Sequence, residues 1–420
     1  MVMFHASQIH PLGPVRLEPY PMYARSVIEA INLFHDELTA VRQNIHAHPE
    51  LGFQEVRTSA LVANALAALG YTVHRGIGKT GIVGVLDGKC NDSARSIGLR
   101  ADMDALPILE QGSHPYASTN AGVMHACGHD GHTAVLLGAA RYLAETRNFN
   151  GRVVLIFQPA EEGLGGAKAM LDDGLFERFP CDAIYGLHNW PGLPAGVIGV
   201  NPGPMMAAAD HFEIHIEGRG GHGAHAYQTN DPVVIAAQLI SALQTIVSRN
   251  VPAPDSAVVT VAAVTAGNLQ AMNVIPKDAH MVGTVRTFNP VVQEQIIQRM
   301  QEVVDGIAAA FKATITMKYH RLFPATVNTP EHAAFVADVA TELFGADMVV
   351  PNLIPSMGSE DFSFMLQRRP GAYFRLGQGG AESGCVLHNS AFDFNDAVIP
   401  AGSAMFSRLV ERSMPLVSGR

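Results

Sequence analysis

The chain has 420 residues, 48% hydrophobic and 16% charged, with a formal net charge of -10 at pH 7. That length can supply two or three domains with full cores, and the acidic balance without a Lys/Arg run argues against a nucleic-acid partner. The N-terminus lacks the basic start and apolar core of a secretory signal, and no stretch of about 18 apolar residues reads as a membrane span.

Residues 1–22 are proline-rich and are expected to form a loose arm or surface wrap. "TSALVANALAALG" (58–70) reads as a helix that opens at Thr/Ser and closes at Gly70. "GIVGVLDG" (81–88), "SIGLRAD" (96–102), "RVVLIFQP" (152–159) and "AIYGLHN" (183–189) are short apolar runs of the kind buried on both faces of a sheet. "HTAVLLGAARYLAET" (132–146) has apolar residues at helical spacing. The pattern is α/β, a mixed sheet between helices.

From residue 205 the pattern changes. "DHFEIHIEG" (210–218) alternates, "DPVVIAAQLISALQTIVSR" (231–249) is helical, and "SAVVTVAAV" (256–264) and "DAHMVGTVRTF" (278–288) are strands. "NPVVQEQIIQRMQEVVDGIAAAF" (289–311) is a long helix and "TITMKYH" (314–320) a last strand. The order β-α-β-β-α-β is ferredoxin-like. "EHAAFVADVATELFG" (331–345) and "AYFRLGQ" (372–378) resume the first style. The expected division is a catalytic domain in two parts, 1–204 and 323–420, with an α+β unit inserted at 205–322.

Ligands of open α/β sheets bind beyond the carboxyl ends of the strands. "SIGLR" runs into Asp102 and Asp104, "VVLIFQPA" into Glu161 and Glu162, and "AIYGL" into His188. "MHACGHDGHTA" (124–134) places Cys127 and His129 just before a helix, where a thiolate is favoured. A further "LHN" brings His388. Cys127, His129, Glu162, His188 and His388 are five candidate metal ligands. That is too many for one closed tetrahedral site and suits two ions a few ångströms apart. Each residue also has a plainer reading: a cysteine as a small core hydrophobe, His125 and His132 as caps or packing, Glu161-Glu162 as a solvated helix start. Their convergence on strand ends favours the metal. "GIGKTG" (76–81) matches a dinucleotide fingerprint but leads into a strand rather than a helix, so it fails its context. The four cysteines, Cys90, Cys127, Cys181 and Cys385, lack a framework spacing, which fits reduced thiols in a cytoplasm.

With "HPELGFQE", "LRADMDALP", "MHACGHDGHTA", "FQPAEEG", "GLHNWPGLPAG", "GRGGHGAH", "NVIP", "GTVR", "MGSEDFSF" and "LHNSAFDFND" in view, the chain resembles the aminoacylase/carboxypeptidase family of dinuclear metallohydrolases. Within it, the resemblance is to the branch of hippurate hydrolases, N-acyl-amino-acid amidohydrolases and indoleacetyl-amino-acid hydrolases, over about residues 42–402. It implies a metal-binding domain with an inserted lid that also dimerises, and two divalent ions per subunit. Thiolate and imidazole ligands lean towards zinc, cobalt, nickel or manganese. The five ligands carry over as named. Glu161 becomes the general base, and Asp104, with Pro107, a carboxylate that orients a ligand; Asp102 is left out of the ligand set. Lid residues carry over as His222, a donor to the tetrahedral oxyanion that reaches a partner subunit's site, and as Asn273 and Arg286, which hold the substrate carboxylate or the tetrahedral centre. The chain departs from the branch at "GGHGAHAY", where Ala226 and Tyr227 replace the usual Pro-His and His225 is extra, which bears on specificity. The implied activity is hydrolysis of the amide of a small N-acyl or N-aroyl amino acid by a homodimer, without nucleic acid or membrane. A dipeptidase or aminopeptidase on the same site, and a non-catalytic binding protein on a hydrolase scaffold, are the competing readings. Intact Glu161 and five intact ligands argue against the last.

Overall fold

The computed structural model describes residues 22–381 and 384–416. All but the last residue of the expected N-terminal arm lies outside them; Met22 opens a helix, Met22–Asn32, whose Val27 and Ile31 are buried. Eight strands form the larger sheet, in the order Thr72–Ile77, Gly81–Asp87, Arg152–Gln158, Ser96–Asp102, Ala183–Trp190, Gly371–Gly377, Ile198–Gly199, Val349–Val350. The four central strands run parallel and the flanking pairings are antiparallel where Gly81–Asp87 meets Arg152–Gln158 and where Gly371–Gly377 meets Ile198–Gly199. The sheet is therefore mixed, as the sequence pattern implies.

The unbroken apolar runs have a simple cause. Alternate residues of Arg152–Gln158 enter different cores: Val153, Leu155 and Phe157 face one layer of helices, while Val154 and Ile156 face the other. The first layer includes Val56–Ala68, His129–Thr146, Pro330–Phe344 and Ile399–Ser413; the second includes Gly166–Asp172 and Phe362–Leu366. Burying each such side chain contributes about 1.5–3 kcal/mol, which is what makes both faces apolar.

A second sheet has four antiparallel strands in the order Ala257–Ala266, Asp278–Thr287, Ala208–Glu217, Thr314–Phe323. Helices Pro232–Asn250 and Pro290–Phe311 cover one face, around Ile214, Ile216, Leu239, Leu243, Ile296 and Met300. Both helices start alike. Asp231 and Asn289 accept the backbone N–H two residues on, and proline occupies the first helical position, where no amide is needed. By length and composition Pro232–Asn250 is apolar enough to cross a membrane, which the sequence expectation excluded. Here its apolar stripe, Ile235, Leu239, Leu243 and Ile246, is buried on the sheet. A short pairing of Thr326–Val327 with Pro204–Met206 flanks this four-stranded unit.

Candidate metal centre

The parallel register brings the carboxyl ends of three strands to one edge of the sheet. Asp102 pairs with Gln158, and Arg100 with Gly186. Asp102, the Glu161-Glu162 turn and His188 therefore emerge side by side. His388 arrives by another route: its backbone N–H donates to the Ala126 carbonyl at 2.7 Å, beside Cys127. His388 has φ 61°, a left-handed conformation that a non-glycine residue adopts only where its surroundings impose it.

The helix expected at 132 begins at His129, so His129 lies in its first turn and Cys127 precedes it across Gly128. Gly128 has φ 96°, and a Cβ there would sit 2.5 Å from Asn189 Oδ1. The site thus requires glycine for both conformation and space.

Two donor sets share Cys127. The ligand atoms of Cys127, His129 and His188 lie within 4.8 Å of one another, as do those of Cys127, Glu162 and His388. Cys127 Sγ is 3.3 Å from His188 Nε2, and His388 Nε2 is 3.1 Å from Glu162 Oε1. The outer nitrogens are already engaged. His129 Nδ1 donates to Asp104 Oδ1 at 3.2 Å, and His188 Nδ1 to the Asn189 carbonyl at 2.6 Å. With Nδ1 engaged, the Nε2 atom of each ring faces inwards. His129 Nε2 and Glu162 Oε1 are buried without a hydrogen-bond partner. An unpartnered His129 Nε2 inside a buried thiol–imidazole–carboxylate cluster is a donor atom that a bound cation would satisfy.

Electrostatics sharpens this. Burial opposes a charge on His129, but Asp102 and Asp104 outweigh it and raise its pKa to about 10. His188 is pushed well down by burial and by the neighbouring His132, so its imidazole is neutral. The helix start was expected to favour a Cys127 thiolate. Instead burial, with Glu162, Glu161 and Asp102 nearby, pushes the thiol well up. Without a cation, desolvation and three carboxylates outweigh a helix terminus. Glu161 is likewise pushed well above the usual carboxylate range, by burial and then by Glu360, Glu162, Asp361 and Asp104.

A cavity of about 590 Å³ is lined by Cys127, Glu161, Glu162, His188, His388 and, from the four-stranded unit, His211 and Arg286. Of the ten residues singled out by sequence, these include six; His129 and Asp104 are buried behind them. His222 and Asn273 are elsewhere. His222 lies on a two-residue ribbon in which it pairs with Val274, and Asn273 immediately precedes that segment, at an exposed end of the four-stranded unit. His132 is more than packing: its Nδ1 donates to Asp102 Oδ1 at 2.6 Å and its Nε2 accepts the Asn189 backbone N–H at 2.9 Å. His125 is buried without a hydrogen bond, and burial lowers its pKa to about 4. Sequence reasoning gave no role to Glu360 or Arg100. Glu360 lines the cavity, and its carboxylate accepts from Arg100 at 2.8 Å and from the Tyr373 hydroxyl at 2.9 Å. The motif "MGSEDFSF" and the arginine inside an apolar strand were the available signals.

A family model described as Peptidase family M20/M25/M40 matches residues 98–412. A hippurate hydrolase of Campylobacter jejuni is 45% identical over 373 residues, 89% of this chain and 95% of that protein. An N-acetyl-L-cysteine deacetylase of Bacillus subtilis is 40% identical over 370 residues, 88% of this chain and 86% of that protein. Among solved structures, a Bacillus subtilis protein described as a dinuclear metal binding peptidase from the M20 family superposes with a TM-score of 0.79 at 35% identity, covering 91% of this chain and 99% of its own. The chain belongs to peptidase family M20/M25/M40 and is an amide-bond hydrolase of that family.

Proposed function

We propose that the chain hydrolyses N-acyl or N-aroyl amino acids, hippurate-like compounds among them, to a carboxylic acid and a free amino acid. The observation that carries this is the joint lining of one cavity by the cysteine–histidine–glutamate cluster and the Arg286 guanidinium. A planar fork suits the carboxylate of an amino acid, and the cluster suits the amide beyond it. A dipeptidase would also need an anionic partner for a free amine. Glu360 is the cavity carboxylate best placed for that, and it is already paired with Arg100 and Tyr373.

Two divalent ions fit the donor set, because thiol, imidazole and carboxylate donors converge within 4.8 Å of one another and the buried His129 Nε2 has no hydrogen-bond partner. Cys127, His129, Glu162, His188 and His388 would hold them; zinc, manganese, cobalt or nickel suits such ligands. When bound, the ions supply Lewis acidity that polarises the amide and lowers the pKa of water to about 7 in good sites. Glu161 takes a proton from the attacking water and passes it to the leaving amine. Its buried, acidic surroundings hold it with a higher proton affinity than an ordinary glutamate. Asp104 keeps His129 in the tautomer that presents Nε2. Arg286 anchors the substrate carboxylate.

His222 and Asn273 complete the site from a second copy of the chain, residues 205–322 serving as lid and dimerisation domain between catalytic parts 1–204 and 323–420. Their distance from the cavity of their own chain supports this, as do Tyr227, Leu269 and Met272, exposed near the same ribbon. All four cysteines are unpaired, in keeping with a cytoplasmic location. The test is a substrate panel after metal reconstitution: N-acetyl, N-benzoyl and indoleacetyl amino acids against free dipeptides. Turnover of dipeptides with none of the acylated compounds would select the peptidase reading.

A further inference from the structure

We propose a second metal site, apart from the cavity: a transition-metal ion of the zinc class held by His46 Nε2, Glu110 Oε1 and His114 Nε2. His46 ends the helix His35–His46, and Glu110 and His114 lie on the loop that follows Asp104. None of the three lines the candidate active-site cavity.

Glu110 Oε1 is 3.1 Å from His46 Nε2 and 3.2 Å from His114 Nε2, and the three donor atoms lie within 4.8 Å of one another. A tetrahedral ion with arms of about 2.0–2.2 Å separates its ligand atoms by about 3.4 Å, so little movement is needed. The outer nitrogens face carboxylates. His46 Nδ1 is 2.8 Å from Asp130 Oδ2, and His114 Nδ1 is 3.7 Å from Asp393 Oδ2. Carboxylates behind imidazoles orient metal-binding histidines in this way. Glu110 is itself fixed, its second oxygen accepting the Ser118 backbone N–H at 2.5 Å.

Hydrogen bonds serve the side chains of His46 and Glu110 but not that of His114. His114 Nε2 is buried and makes no hydrogen bond, although Glu110 Oε1 is close. The charges are unequal too. The one Arg42 guanidinium already forms ion pairs with Asp130, Asp393 and Asp396, and Glu110 faces His46 and His114 instead. A divalent cation among Glu110 and the two imidazoles would take the place of a proton on His46, whose pKa, against burial, Asp130 and Glu110 raise, and would give His114 Nε2 a partner. Gly112 lets the loop close on these atoms. A Cβ there would fall 2.4 Å from His114 Nε2 and 3.0 Å from Glu110 Oε1, although the backbone conformation does not demand glycine. Such an ion would pin the end of the helix to the loop, a structural role.

The experiment is equilibrium dialysis of the whole chain against buffered zinc, with bound metal counted per chain. Wild type should hold one ion more than His114→Ala. Its zinc-dependent rise in Tm should also exceed the variant's, because an ion bound only to the folded state stabilises it by mass action. Gly112→Ala keeps all three donor side chains and should lose the same single ion. Equal zinc uptake by wild type and His114→Ala overturns the proposal.

Discussion

Asp104 ties His129 to Glu162. One of its oxygens accepts the His129 imidazole N–H at 3.2 Å, and the other accepts the backbone N–H of Glu162 at 3.0 Å. One carboxylate thus positions a candidate ligand from each of two segments. Asp104→Ala should leave the fold intact, since the side chain contributes no apolar packing, but release both. The expected loss in metal affinity is about 10–100-fold, read by competition with a chromophoric chelator. Unchanged affinity would mean that the ligands are held by packing alone.

The adjacent glutamates should separate cleanly. Glu161→Gln is expected to retain bound metal and lose about 10²–10⁴-fold in kcat, the usual contribution of a positioned base. Glu162→Gln should lose metal together with activity. Metal analysis of both purified variants decides, and the opposite pattern would exchange their roles.

Metal uptake should release protons. Against burial, Asp102 and Asp104 raise the His129 pKa to about 10, and burial with nearby carboxylates pushes the Cys127 thiol well up, so both favour the protonated form at pH 7. Ligation needs the unprotonated forms, so affinity must rise with pH across the neutral range. Calorimetry of zinc binding in buffers of different ionisation enthalpy should count about two protons released from these groups at pH 7. A count near one would show that Cys127 or His129 is not a ligand, and a count near zero that neither is.

Gly128→Ala should be costly for a small change. The left-handed backbone and the 2.5 Å approach to Asn189 Oδ1 both oppose a Cβ. A destabilisation of about 1–3 kcal/mol is expected in urea denaturation. Because Asn189 borders His188, metal affinity should fall as well.

If the His222 of one copy completes its partner's site, two inactive variants should rescue each other. His222→Ala and Glu161→Gln, mixed under conditions that exchange subunits, give mixed dimers with one doubly altered site and one intact site. About half of the sites in mixed dimers should then turn over. Proven exchange without recovered activity would place the action of His222 within its own chain.

Much of this architecture is legible without coordinates. Uninterrupted apolar runs such as "RVVLIF" can only be strands covered on both sides, and "DHFEIHIE" alternates because one face is packed and the other is not. Burial is periodic in the chain, and periodicity is local information. The motifs likewise place Glu162 and His188 after such runs and Cys127 just before a helix. What the chain order could not decide was set by contacts distant in sequence. His388 reaches Cys127 through one backbone hydrogen bond to Ala126, across more than two hundred and fifty intervening residues. The helix terminus beside Cys127 pointed to a thiolate, yet carboxylates from other segments reverse that sign. Glu360, in the loop before helix Phe362–Leu366, acquires its place through Arg100 of the strand Ser96–Asp102, which donates to its carboxylate. His222 and Asn273 share a motif-based assignment with Arg286, but only Arg286 lines the cavity of its own chain. Sequence records which face of each element is buried; pKa values, orienting hydrogen bonds and the reach of a lid depend on which elements meet, because electrostatic and hydrogen-bonding energies are decided at a few ångströms between groups that only the tertiary fold brings together.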